Sequence, residues 1–161
     1  LPYAKMPMLW VNGAGEPVFP LDGFSKSAAL TKGRSTLCIR PFLPHGHGFG
    51  WEEVWEIGGF AHGVVIGKAP MPFIENPHVA KDGLVHAKYT GDLRRATIAY
   101  TKTVGKWPKN TALPTIPCRL VNGEVISTTP LPAGTTAYRV DARGDKVWGD
   151  GCIGTPLVWV K

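Results

Sequence analysis

Of the 161 residues, 20 are glycine and 15 are proline, and this punctuation decides most of what the chain can fold into. Proline removes a backbone donor and locks φ, while glycine gives up the most conformational freedom on ordering, so neither suits the interior of a long helix. Spread along the whole length, they cut the chain into short segments joined by turns. Between them lie runs rich in β-branched and aromatic residues, at 8–12, 34–42, 52–57, 60–67, 84–90 and 94–104, which read as strands. Residues 25–30 (SKSAAL) offer one helical turn at most. Gly58-Gly59, Asn122-Gly123 and Arg143-Gly144-Asp145 read as hairpin turns. Arg-Gly-Asp at a hairpin tip is good turn chemistry before it is an adhesion signal.

The length suits one domain, 1–161. Hydrophobic residues at 43% are enough for a core, and charged residues at 19% are too few for a disordered chain. The net charge of +6 permits an anionic partner. The positive residues are scattered, however, and no basic helix or zinc-finger spacing occurs, so nucleic-acid binding is not expected. No apolar run reaches the roughly 18 residues of a membrane helix, and no membrane association is expected. Cys38, Cys118 and Cys152 are far apart and lack a CxxC pair. They read as core or free thiols of a reducing compartment, which favours the cytoplasm. The chain opens Leu1-Pro2, as a trimmed product would.

The segment 43–63, LPHGHGFGWEEVWEIGGFAHG, carries the densest chemistry. In a strand, residues i and i+2 share a face, so His45 and His47 can aim two imidazoles at one point. After a turn at 48–50, Glu52 or Glu53 returns with a carboxylate. A third nitrogen must come from His62, His78 or His86. His62 and His78 also read as solvated side chains, and His86, among Leu84, Val85 and Ala87, as a core histidine.

This pattern resembles the cupin family. Its first motif is matched by His45-x-His47, four residues, Glu52, six residues and Gly59, with Ile39 where the opening glycine belongs. The second is matched at its centre by Gly83-x2-His86, with Glu75, Lys81 and Thr90 replacing other motif positions. The resemblance implies an all-β fold, a double-sheet jelly-roll or cupin-like barrel over about residues 30–105. An extra C-terminal β-rich segment, strands within 118–161, would pack on the same core. It also implies one divalent transition metal, Fe, Mn, Ni or Zn, held by His45, His47, Glu52 and His86. Strand alternation leaves Glu53 as an alternative ligand, because the apolar face of 52–57 goes with it. Glu56 or Glu53 would serve as a nearby base. The implied activity is metal-dependent, oxygenase-type chemistry on a small substrate, which the net charge allows to be anionic. Cyclase, isomerase and decarboxylase chemistry fit equally, and a homodimer is common in the family.

A second class stays open. The Trp, Gly and Pro content also suits a non-catalytic β-sandwich that binds carbohydrate or protein, as in phage or viral fibre domains. No GxSxG, GxxxxGK[ST] or GxGxxG in a βαβ setting is present.

Overall fold

The computed structural model describes residues 1–41, 43, 45, 54–67, 71–108, 112–144 and 152–160. His47, Glu52, Glu53 and Asp145 lie outside the described residues. The chain is mostly β: the described residues form eleven strands in one open mixed sheet and two short helices.

The strands are β1 (Met8–Gly13), β2 (Ser35–Arg40), β3 (Phe73–Ile74), β4 (His78–Val79), β5 (Val85–Thr90), β6 (Leu93–Thr101), β7 (Thr115–Val121), β8 (Glu124–Ser127), β9 (Ala137–Gly144), β10 (Cys152–Gly154) and β11 (Val158–Trp159). The helices are α1 (Leu21–Ala29) and α2 (Trp55–Ile66). The sheet runs β1-β2-β10-β9-β6-β7-β8-β5-β3, with β11 on β9 and β4 on β5. β1 and β2 are parallel, Met8 opposite Ser35 through Gly13 opposite Arg40. The pairs that continue the sheet from β2, beginning with β10, are antiparallel. A parallel pair needs a crossover, and α1 supplies it.

Strands at 8–12, 34–42, 84–90 and 94–104 agree with β1, β2, β5 and β6 to within a few residues. The Asn122-Gly123 turn also stands: both residues have positive φ, 49° and 78°, as a two-residue hairpin of the primed type requires. The segments 52–57 and 60–67 differ. From Trp55 onward they form one helix, α2, rather than two strands about a Gly58-Gly59 turn. Its composition argues for strands, but Glu56 and Gly63, two turns apart, form its buried face, and this packing overrides local propensity. Gly67, at φ 67°, ends the helix in the left-handed conformation that glycine adopts without strain. α1 is also longer than the single turn expected. Pro20 precedes it, Asp22 sits in the first turn and Lys26 in the last, each at the end where the helix dipole favours it. Its inward stripe is Leu21, Ser25 and Ala28.

Two apolar clusters hold the sheet. One gathers Val85, Ile98, Val125, Val140 and Ile153 from β5, β6, β8, β9 and β10. The other seats α1, through Leu21 and Ala28, on Leu37 and Ile39 of β2, with Trp107 alongside. Each buried Val, Leu or Ile side chain among them contributes roughly 1.5–3 kcal/mol of transfer free energy. β10 lies between β2 and β9, so the β1-α1-β2 unit and the C-terminal strands share one sheet. No helix among the described residues is long and apolar enough to cross a membrane.

Candidate functional site

Parallel strands end on the same side, so the residues that directly follow β1 and β2 emerge side by side at their carboxyl ends. In α/β units this is where ligand-binding groups collect. The loop after β1 carries Glu16, and the segment after β2 carries His45. Gly13 closes β1 directly against the backbone of Leu43: a Cβ at residue 13 would collide with the Leu43 carbonyl oxygen. Glycine at 13 therefore lets the two loops approach.

The approach brings His45 Nδ1 to 2.9 Å from Oε1 of Glu16. The same oxygen accepts the Val18 N–H at 2.7 Å and the Phe19 N–H at 3.4 Å. Glu16 is buried, whereas the His45 side chain is 46% exposed. Burial by itself pushes the Glu16 carboxyl up. The Val18 amide, the His45 ring and the Phe19 amide together outweigh it, and the group sits below the ordinary carboxylate range. Glu16 is thus an anion aimed at one nitrogen of an imidazole. The Phe19 ring lies 6.0 Å from the His45 ring, tilted by 45°.

A cavity of about 780 Å³ opens beside this pair. Its walls are largely apolar, with Trp10, Val18, Phe19, Phe24 and Leu43 among them. Trp10 and Phe24 meet edge to face, ring centres 5.9 Å apart. Glu16 and His45 are the ionisable side chains of its lining, and no lysine or arginine is among the described lining residues. Nor does the sequence from 42 to 54 contain either.

The other residues singled out from sequence lie elsewhere. His86, on β5, has Asp82 Oδ2 at 3.1 Å from Nε2 and Glu124 Oε2 at 3.3 Å from Nδ1. Its pKa is raised, chiefly by the Asp82 bond, with burial opposing and Glu124 adding. His78 faces His86 in register across β4 and β5, ring centres 6.3 Å apart. His62 and His78 are both exposed. The two described members of the expected ligand set, His45 and His86, thus have separate carboxylate partners. Among the described residues no three His, Cys, Asp or Glu side chains are grouped to hold a metal ion.

Glu56, expected as a base, is fully buried on α2. Its Oε1 accepts the Cys152 N–H at 2.6 Å and lies 3.8 Å from Arg40 Nε. Its Oε2 has no hydrogen-bond partner among the described residues. The carboxylate ties α2 to β10, across the seam between the two parts of the sheet. The three cysteines are free thiols, and burial raises Cys38, Cys152 and Cys118, the last to about 11.

Glu16 is the site residue that the sequence pattern did not bring forward. The available signal was positional: a carboxylate in Gly13-Ala14-Gly15-Glu16-Pro17, immediately after a strand that a helix follows. No protein-family model, curated protein or solved structure matches the chain.

Proposed function

We propose that Glu16 and His45 form the acid–histidine arm of a hydrolytic site, acting on a small, neutral, largely apolar acyl compound. The observation that carries this reading is the 2.9 Å contact from the buried Glu16 carboxylate to His45 Nδ1. A carboxylate on Nδ1 fixes the neutral ring with its proton there, leaving Nε2 as the base and stabilising the imidazolium once it forms. Hydrolases built on open α/β sheets use the same chain order, acid before histidine, for the last two members of their triads.

The chemistry follows from Nε2. It takes a proton from an attacking hydroxyl or water as the new C–O bond forms at the acyl carbon. The imidazolium then gives that proton to the departing oxygen or nitrogen as the old bond breaks. Among the described residues no hydroxyl or thiol is hydrogen-bonded to His45, so the nucleophile in this reading enters from the cavity side. The cavity favours a neutral substrate: Glu16 is ionised there, and no cation of the described lining would hold a carboxylate or phosphate.

The test is hydrolysis of a neutral activated ester, 4-nitrophenyl butyrate, by the purified chain. His45→Ala is expected to lower the rate by roughly 10²–10⁴. A rate equal in wild type and variant would set the reading aside.

A second reading rests on the motif spacing of His45, His47, Glu52 and His86, which favours a metal-dependent cupin-type enzyme with a jelly-roll barrel. Those residues would hold a divalent metal able to polarise substrate oxygens. For that ligand set His86 must release Asp82 or Glu124, and Glu16 would orient His45 from behind. Near-stoichiometric metal in untagged protein, lost in His47→Ala, would favour it over the hydrolytic reading. A carbohydrate- or protein-binding module would show neither metal nor turnover.

A further inference from the structure

We propose that Asn12 is a positioning residue for the Glu16–His45 pair: its side chain clasps the loop whose amides aim the Glu16 carboxylate at the imidazole. The inference rests on the hydrolytic reading for its purpose, although its physical content can be measured without turnover.

Asn12 is the penultimate residue of β1 and is buried, with 7% of its surface exposed. Its backbone is fixed opposite Ile39 in the parallel ladder, so its side chain projects from a rigid base. Both ends of the amide are used. Oδ1 accepts the Gly13 N–H at 2.9 Å, where the loop leaves the strand. Nδ2 donates to the Phe19 carbonyl at 2.8 Å, where the loop enters α1. One side chain therefore bridges the two ends of the segment that carries Glu16.

Phe19 and Val18 are also the residues whose N–H groups meet Glu16 Oε1. Holding the Phe19 carbonyl holds the adjoining peptide units in register with that oxygen. Within the loop, the Glu16 N–H bonds back to the Gly13 carbonyl at 3.3 Å, which sets where the glutamate side chain starts. Removing the clasp leaves that turn but frees the far end of the loop. The Asn12 hydrogen bonds go to Gly13 and Phe19 and not to His45. Asn12 acts through the loop, and its loss is expected in the properties of Glu16 and His45.

The experiment uses the full chain and two variants, Asn12→Leu, which keeps the branching but has no polar atom, and Asn12→Ser, which is too short to reach Phe19. NMR reads the titration midpoint of the Glu16 carboxyl and the tautomer of neutral His45. Both variants are expected to raise the Glu16 midpoint by roughly one pH unit, the scale of a lost hydrogen bond to a carboxylate. The Nδ1–H tautomer is expected to become less populated in both. Lower thermal stability with an unchanged Glu16 midpoint would mean that Asn12 is only part of the scaffold, and would overturn the proposal. If Asn12→Leu does not fold, Asn12→Ser decides alone, because a shorter polar side chain introduces no clash. The hydrolytic reading fails separately, if wild-type His45 already carries its proton on Nε2.

Discussion

His45 Nδ1 meets the Glu16 carboxylate at 2.9 Å, each residue lying just beyond one of the parallel strands β1 and β2. A half-exposed imidazole and a buried anion, carried by two different segments, fix the ring's orientation and leave Nε2 without a hydrogen-bond partner among the described residues.

Gly13→Ala is expected to destabilise the fold by roughly 1–3 kcal/mol, the usual range for overpacking, because the new Cβ meets the Leu43 carbonyl. The same variant should push the His45 segment away and weaken its contact with Glu16. Gly23→Ala, inside α1 with open space around its Cβ position, should instead stabilise by about 0.5–1 kcal/mol. Urea unfolding of both variants gives the two signs, and equal signs would contradict the packing described.

Glu56→Ala is expected to lower stability by about 1–3 kcal/mol, since it leaves the buried Cys152 N–H without its acceptor. Glu56→Gln keeps an acceptor oxygen there and should lose less. Neither variant should shift the His45 tautomer. If Glu56 were the working base instead, Glu56→Gln would abolish turnover while leaving the unfolding midpoint nearly unchanged.

Two groups give opposite pH dependence. The folded Glu16 carboxyl lies below its ordinary range. Its stabilisation is therefore present above the ordinary carboxylate pKa and is lost as pH falls through the lower folded value. His86 is raised by Asp82, against burial and with help from Glu124. Its stabilisation is complete below the ordinary histidine value and is lost as pH rises through the raised folded value. Thermal unfolding of wild type and His86→Gln should differ more at about pH 5.5 than at about pH 8.5. A gap that widens towards alkaline pH would reverse the assignment.

The strands were legible where alternation and turn chemistry agree. Asn122-Gly123 specifies its own geometry, and the apolar runs of β1, β2, β5 and β6 are bounded by turn residues. α2 was not legible, because Gly58, Gly59, Val64, Val65 and Ile66 have poor helix propensity and the helix rests on packing through Glu56 and Gly63. Nor was the parallel pairing of β1 with β2, since short apolar strands look alike whichever way they pair. That pairing hid the site. The HxH spacing drew His45 towards His47 and His86, while its observed partner, Glu16, lies on the loop of the neighbouring strand. His45 was recognisable as a candidate, but the carboxylate beside it became visible only once the strand order was known.

The most direct measurement is the tautomer of His45, read from imidazole ¹⁵N shifts at a pH where the ring is neutral, in wild type and in Glu16→Ala. The proton is expected on Nδ1 in wild type, and on Nε2, the ordinary preference of a free imidazole, once Glu16 is removed. A wild-type ring protonated on Nε2, or one indifferent to Glu16→Ala, would contradict the claim that this carboxylate prepares His45 as a base.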